Sequence, residues 1–133
     1  TLRDGWLYTG DICTWDAQGF ITICDRKKDM IISGCENIYP AELENALAAC
    51  PDVAEAAVIG VPSEKWGETP LALVVPAAGK SPDADSLKAW CKQRLASYKV
   101  PQLYEVVDAL PRNPSGKLLK PQLRETYPGP APF

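Results

Sequence analysis

Short β-rich segments alternate along this chain with segments that have one apolar helical face, and this alternation limits the possible folds more than any other feature. In segment 39–50, Pro40 suits the first helical position and Glu42 suits the first turn. The apolar residues of the segment recur at the i, i+3, i+4 and i+7 spacing of a helix face. They are Leu43, Ala46, Leu47 and Cys50. The pattern predicts an amphipathic helix that stops at Pro51.

The other segments predict a similar alternation of short elements. Residues 11–26 form two β-rich runs on either side of the turn-forming residues 16–19, which predicts a hairpin. Further strands are predicted at 53–62, 71–76 and 104–108, and further helices at 85–98 and at 118–127, with Pro121 as a point of interruption. We therefore expect an α/β (α+β) fold, a small two-layer domain with a short β-sheet and about three helices, preceded by a β-hairpin.

Charge and composition exclude several classes of protein. The net charge is −3 and the pI is about 4.9, whereas a general nucleic-acid binder shows a basic stripe. No apolar run approaches the roughly 18 residues that a membrane-spanning helix needs, and the N-terminus lacks the charged and apolar regions of a signal peptide. We therefore expect a cytoplasmic protein without a transmembrane segment, and 133 residues fit one domain.

The cysteine and histidine content restricts the chemistry. The chain has five cysteines, an odd number with no close pair, and no histidine. This pattern favours reduced thiols and no metal site, because zinc knuckles and redox motifs need closely spaced cysteines. Without histidine, neither Ser-His nor Cys-His catalysis is available. Any chemistry must therefore depend on Lys, Arg, Asp, Glu, Tyr or the backbone.

Three polar segments lie far apart in the sequence: "YTGD" at 8–11, "DRKKDMIISGCENIYPAELE" at 25–44 and "PRNPSGKLLK" at 111–120. Taken singly, they can be explained as a turn, a solvated charge run and a loop. Taken together, in this order and spacing, they resemble the last three signature motifs of the adenylate-forming enzymes. This superfamily includes acyl-CoA synthetases, the adenylation domains of peptide synthetases and luciferases. The resemblance extends over nearly the whole chain.

Within the superfamily, the segments "DMIISG", "VIGVPSEKWGE" and "YKVPQLYEVVDALPRNPSGK" resemble bacterial acyl-CoA and aryl-CoA ligases. The resemblance implies the C-terminal part of such a ligase, a mobile lid that works with its own large N-terminal domain. On this basis residues 1–27 are the end of the large domain, 28–127 are the lid and 128–133 are a flexible tail. The implied substrates are ATP, CoA and a small carboxylic acid, with magnesium bound mainly by the large domain.

The resemblance also implies roles for residues near the nucleotide. Asp11 would accept hydrogen bonds from the ribose hydroxyls of AMP, as a carboxylate with room for two donors can. Arg26 would lie near the nucleotide or face the phosphates of CoA. Lys28 would be the hinge about which the lid rotates. Lys117 would be the catalytic lysine of the adenylation step, with an ammonium that bridges the acid and the phosphate oxygens.

A second set of residues is implied to form the passage for CoA. Gly34 would let the backbone approach the narrow pantetheine tunnel, and Cys35 replaces a glycine that is common in the family. The whole set is Ser33, Gly34, Cys35, Trp66, Tyr98 and Lys99. Val100 stands where some relatives carry arginine, which weakens the case for phosphate binding at that position.

Two other functions are compatible with the same motifs. An adenylation domain could load a carrier protein instead of CoA, and the thiol that it accepts would distinguish the two. A free-standing interaction module could keep the fold without the chemistry. The presence of Asp11, Arg26, Gly34 and Lys117 argues against the module.

Overall fold

The computed structural model describes residues 1–129, and its main elements follow the order expected from the sequence. The strands are β1 (Leu2–Arg3), β2 (Trp6–Leu7), β3 (Asp11–Trp15), β4 (Ile21–Arg26), β5 (Ile31–Ser33), β6 (Glu36–Ile38), β7 (Val53–Ser63), β8 (Gly67–Pro76) and β9 (Leu103–Val106). The α-helices are α1 (Pro40–Ala48), α2 (Ala84–Lys92) and α3 (Lys120–Thr126), and Ser97–Lys99 forms a 3-10 turn. The expected α+β fold class is confirmed. Within residues 1–129, no helix is long and apolar enough to cross a membrane.

The central sheet has the order β7-β8-β9, with β7 and β8 antiparallel and β9 parallel to β8. Successive residues of β7 point to opposite faces, as the period of a strand requires. Val58 packs with the buried residues of α1 and α2, whereas Ala57 and Ile59 pack with Leu123 of α3. Both faces of the sheet are thus buried, one under α1 and α2 and the other under α3 and the segment that leads to it.

Helix α1 confirms the predicted amphipathic segment. Pro40 lies in its first turn, and Leu43 and Leu47 are completely buried. Burying one such leucine stabilises the fold by roughly 1.5–3 kcal/mol. Tyr39 offers no side-chain cap. The carboxylate of Asp25, from strand β4, instead accepts a hydrogen bond from the Ala41 N–H at 2.9 Å, so the hairpin caps the helix.

Helices α2 and α3 differ from the predicted bounds. The predicted helix at 85–98 is wrong beyond Lys92, because Ala96 adopts an extended ψ of 146° and Val100 is extended before Pro101. Asp83 and Ser86 form a capping box at the start of α2. Pro121 does not interrupt α3, because it lies in the first turn, where its missing N–H costs nothing.

Three antiparallel hairpins precede α1, and the first pairs β1 with β2. The predicted hairpin at 11–26 is confirmed by the pairing of β3 with β4. The hairpin of β5 and β6 was not predicted. Its two-residue turn is Gly34-Cys35, Ile31 pairs with Ile38, and both isoleucines are fully buried. The segment predicted as a flexible tail lies mostly outside the described residues, and Pro128 and Gly129 have no regular secondary structure.

Candidate functional site

One pocket gathers most of the residues that the sequence assigns to CoA. We call it the Trp66 pocket, a groove of about 470 Å³ between the β5–β6 turn, the start of β8 and the 3-10 turn. Its lining residues are Ser33, Gly34, Cys35, Glu36, Lys65, Trp66, Thr69, Pro70, Ser97, Tyr98, Val100 and Gln102. Five of the six predicted residues therefore lie together, although they come from three separate segments.

Close contact between Gly34 and Trp66 shapes one wall of this pocket. The Gly34 N–H donates to the Trp66 carbonyl oxygen at 2.8 Å. Gly34 has a φ of +62°, and a Cβ built on it would lie 3.2 Å from Trp66 Cε3. Glycine suits this position for both reasons, since it takes a positive φ and leaves room for the ring. Trp66 and Tyr98 are each 47% exposed, so both offer aromatic surface to a ligand.

The charged residues that line the Trp66 pocket are Lys65 and Glu36. Lys99 does not line it, because its ammonium bonds both carboxylate oxygens of Glu42, at 2.9 and 3.1 Å. The hydrogen bond to Glu42 raises the pKa of Lys99 above its usual value. Lys65 lines the pocket instead, with its ammonium 4.7 Å from the centroid of the Trp66 ring. Glu36 adds a negative charge at the opposite end of the turn.

Sequence reasoning missed several of these lining residues. The position of Lys65 next to Trp66 was the one signal that could have identified it, but nothing in the local sequence distinguishes it from a solvated lysine. Thr69 is a buried polar residue at 7% exposure, and the run of apolar residues after it gave no signal. Gln102 follows Pro101 in a stretch without periodicity, and its amide bonds the Val100 carbonyl at 3.1 Å.

A second pocket gathers the residues assigned to the nucleotide, the hinge and catalysis. We call it the Lys117 pocket, a groove of about 380 Å³. It is lined by Arg26, Lys28, Asp29, Glu44, Lys117, Leu118, Lys120, Pro121 and Arg124. Arg26 comes from the end of β4, Lys28 from the turn after it, and Lys117 from the loop before α3. The fold thus brings three predicted residues together from two distant segments.

Ion pairs neutralise part of the charge in the Lys117 pocket. Five basic and two acidic residues line it. Arg124 pairs with Asp29 at 2.6 Å and Lys120 pairs with Glu44 at 2.7 Å. Within the described part of the chain, the ammonium groups of Lys28 and Lys117 form no ion pair. An excess of positive charge therefore remains, which suits an anionic ligand such as a phosphate.

Asp11 lies beside this pocket rather than in its lining. It is the register partner of Arg26 across the β3–β4 hairpin, and its carboxylate is 3.1 Å from Arg26 Nε. The Asp11 side chain is 22% exposed, so it remains accessible. Asp11 and Arg26 therefore form a pair that can present an acceptor and a donor side by side.

The strands before Lys28 expose a large apolar surface. Seven apolar side chains of these strands and of the turn before β4 are more than 60% exposed: Leu2, Trp6, Leu7, Trp15, Phe20, Ile21 and Ile23. Exposed apolar patches of this kind usually mark a surface that packs against another protein or domain. Among residues 1–129, no cluster of three or more His, Cys, Asp or Glu side chains could hold a metal ion.

Comparison with protein families gives one match over more than half of the chain. Residues 42–117 match the model of the AMP-binding enzyme C-terminal domain. The chain is 54% identical to a feruloyl-CoA synthase of Amycolatopsis sp over 95% of its own length and 26% of that protein. It is 49% identical to the fatty acid–[acyl-carrier-protein] ligase ScoC of Streptomyces coeruleorubidus, over 97% of this chain and 25% of the relative.

Solved structures give the same result. The o-succinylbenzoate CoA synthetase of Bacillus subtilis, in complex with its acyl-adenylate intermediate, matches with a TM-score of 0.86 at 50% identity. The match covers 92% of this chain and 25% of that one. The same enzyme in complex with ATP and magnesium ion matches with a TM-score of 0.83 at 48% identity, over the same shares of the two chains. This chain thus spans about a quarter of the length of the relatives that it matches.

Proposed function

The chain belongs to the family of AMP-binding enzyme C-terminal domains, and we propose that it is the mobile lid of an AMP-forming acyl-CoA or aryl-CoA ligase. The complete enzyme would convert a carboxylic acid and ATP to an acyl-adenylate and pyrophosphate. It would then transfer the acyl group from AMP to the thiol of CoA. The names of the relatives, which include CoA ligases for aromatic and aliphatic acids, support this class of reaction.

The observation that carries the proposal is the presence of two chemically different pockets in this chain, one of them at the proposed boundary between the large domain and the lid. The Trp66 pocket offers two half-exposed aromatic rings and a narrow turn, whereas the Lys117 pocket offers an excess of cations. They share no lining residue. A lid that rotates about a hinge can therefore bring one pocket to the active site for each half-reaction.

In the first half-reaction, the Lys117 pocket would face the large domain. A carboxylate oxygen of the acid attacks the α-phosphorus of ATP, and pyrophosphate leaves with the electron pair of the broken P–O bond. Negative charge builds up on the phosphate oxygens as the new bond forms. The ammonium of Lys117 would stabilise that charge, because a preorganised cation acts most strongly where charge develops. Asp11 would hold the ribose, and Arg26 beside it would lie near the phosphates.

In the second half-reaction, the Trp66 pocket would take the place of the Lys117 pocket at the active site. The thiol sulfur of CoA attacks the acyl carbon and its proton passes to water, while AMP leaves with the electron pair of the broken C–O bond. Gly34 and Cys35 would form part of the wall along the pantetheine chain. Trp66 and Tyr98 offer aromatic surface on which the adenine end of CoA can stack. Lys65 would supply a positive charge beside the Trp66 ring.

The rest of the enzyme would be a large N-terminal domain that binds ATP, magnesium and the acid. The exposed apolar surface of residues 1–27 supports this partner, because an isolated domain would leave that surface in water. Residues 28–127 would be the moving part, with Lys28 at the hinge. This chain matches about a quarter of the length of each relative, which supports a large partner domain.

Acid-dependent exchange between ATP and pyrophosphate, measured on the full-length protein, tests the proposal. We expect exchange with the full-length protein and CoA-dependent release of AMP once CoA is added. The 133-residue chain alone should show neither, since only the lid is present. Exchange catalysed by the isolated chain would show that the proposed division of labour is incorrect.

A second function is favoured by one relative, which is an acyl-carrier-protein ligase at 49% identity. CoA and a holo-carrier protein both present a phosphopantetheine thiol, so the turn at Gly34 suits either acceptor. Rates of acyl transfer from the same adenylate to CoA and to a holo-carrier would separate the two. Faster transfer to the holo-carrier would identify a carrier protein, rather than CoA, as the acyl acceptor. The first half-reaction would be the same in both cases.

A further inference from the structure

The loop that carries Lys117 is a tight hairpin whose two arms are joined by backbone hydrogen bonds. Arg112 and Leu118 form a β-bridge, and outside it the Leu119 N–H donates to the Pro111 carbonyl at 2.9 Å. Inside the bridge, the Asn113 N–H donates to the Lys117 carbonyl, also at 2.9 Å. The backbone of Lys117 is therefore held directly by Asn113.

The side chain of Asn113 holds the loop a second time. Its Oδ1 accepts hydrogen bonds from the Lys117 N–H at 2.8 Å, from the Ser115 N–H at 3.1 Å and from the Ser115 hydroxyl at 2.8 Å. This one oxygen thus accepts hydrogen bonds from three donor groups. Each of these bonds favours this loop conformation.

We propose that Asn113 is the positioning residue for Lys117. This inference rests on the proposed function, in which the Lys117 ammonium acts during adenylation. The Lys117 side chain is exposed and forms no ion pair within residues 1–129, and these hydrogen bonds hold only its backbone. If the backbone were free as well, the ammonium would spend less time at the reacting phosphate. Misplacement by about 1 Å can cost roughly 10²-fold in rate.

The chemistry of the three bonds defines a matched set of variants. Asn113→Ala removes the acceptor. Asn113→Asp keeps an oxygen at the same place, and all three partners are donors, so the bonds can persist. Ser115→Ala removes one of the three donors and leaves the two N–H bonds. We therefore expect the loop to survive in the second and third variants and to loosen in the first.

Single-turnover rates of the two half-reactions in the full-length protein test the proposal. For Asn113→Ala we expect the single-turnover rate of adenylation to fall by roughly 10²-fold. In steady-state assays of the same variant, the KM for ATP should change less than kcat. Transfer from pre-formed acyl-adenylate to CoA should keep its wild-type rate. Asn113→Asp and Ser115→Ala should recover most of the adenylation rate, and Asn113→Ala should add little to the defect of Lys117→Ala.

Three results would overturn the inference. These are wild-type adenylation in Asn113→Ala, equal losses in both half-reactions, or no recovery in Asn113→Asp. Failure of the proposed function would look different, because Lys117→Ala itself would then leave adenylation unchanged.

Discussion

The Gly34 N–H donates to the Trp66 carbonyl oxygen at 2.8 Å, while the Trp66 ring lies 3.2 Å from the point where a Cβ of residue 34 would stand. The two residues are distant in sequence, yet the β5–β6 turn and the start of β8 bring them into contact. One bond fixes the backbone, and the missing side chain leaves the groove open. Any side chain larger than hydrogen at residue 34 must therefore either move the ring or enter the groove.

Gly34→Leu should slow the transfer of the acyl group to CoA by about 10²-fold and leave adenylation close to the wild-type rate. The leucine would occupy the Trp66 pocket, which the proposed mechanism uses only in the second half-reaction. Single-turnover kinetics of both half-reactions measures the effect.

Gly79→Leu is the matched control for this variant. Gly79 also has a positive φ, of +74°, but a Cβ there meets no atom within 4 Å. Both variants should therefore carry a backbone penalty of roughly 1–2 kcal/mol, and only Gly34→Leu should affect the transfer to CoA. Equal kinetic defects in the two would attribute the effect to backbone strain.

Elements with a clear periodicity or turn composition could be predicted from the sequence, whereas very short strands and long-range contacts could not. The helix face of Leu43 and Leu47 follows from periodicity, and the turn at 16–19 follows from its residue types. The partner of Lys99 could not be foreseen, because Glu42 lies 57 residues away. The hairpin of β5 and β6 was not predicted, because three-residue strands are too short to show an alternation of apolar and polar residues.

In the two candidate pockets, too, some residues could be identified from the sequence and others could not. The motifs identified Gly34, Trp66 and Lys117 as site residues through resemblance to a family. The role of Lys65 in the Trp66 pocket, and the hold of Asn113 on Lys117, depend on how the loops fold. Neither can be read from spacing along the chain.

Lys117→Ala should slow adenylation by about 10²–10³-fold, the usual cost of losing one preorganised contact to a transition state. Transfer of the acyl group from pre-formed acyl-adenylate to CoA should be nearly intact. Rapid-quench measurement of acyl-adenylate formation gives the first rate. Lys80→Ala is the control, because the one ion pair that Lys80 forms within residues 1–129 is an exposed contact with Asp52 at 3.6 Å. An equal loss of adenylation in both variants would point to a nonspecific effect of charge.

Asp25→Ala should loosen the first turn of α1. Asp25 accepts hydrogen bonds from the N–H of Ala41 at 2.9 Å and of Arg26 at 2.7 Å, and losing a helix cap costs about 1 kcal/mol. Hydrogen exchange of the full-length protein should be faster in Pro40–Ala48 and unchanged in Ala84–Lys92. Because Asp25 precedes Lys28, this cap spans the proposed domain boundary. Unchanged hydrogen exchange in the first turn of α1 would show that the Asp25 cap does not stabilise this helix in solution.

Cys35 should react with a maleimide much faster than Cys91. Cys35 is exposed in the Trp66 pocket, whereas Cys91 is completely buried and burial raises its thiol pKa above the usual value. At any pH below that raised pKa, Cys91 has less thiolate than an ordinary cysteine, and thiolate is the reactive form. Peptide mapping after timed labelling measures both rates. CoA should protect Cys35 from labelling, and a lack of protection would argue against CoA in this pocket.

Lys28→Pro should leave adenylation intact and slow the transfer to CoA. Lys28 lies in the turn between β4 and β5, where the Asp29 and Met30 N–H groups both donate to the Arg26 carbonyl, at 3.0 and 3.2 Å. The Lys28 N–H makes no backbone hydrogen bond within residues 1–129, so proline would not remove one there. It would fix φ near −65° and restrict Lys27 as well.

A lid that must rotate about this residue between the half-reactions would then be held in one pose. The Lys117 pocket already places Arg26, Lys28 and Lys117 together in this structure, so we expect adenylation to be the reaction that survives. Lys28→Ala serves as the control, because it removes the ammonium and keeps backbone freedom. If Lys28→Ala slowed the transfer to CoA as much as Lys28→Pro did, the charge of Lys28 would matter and its role as a hinge would be refuted.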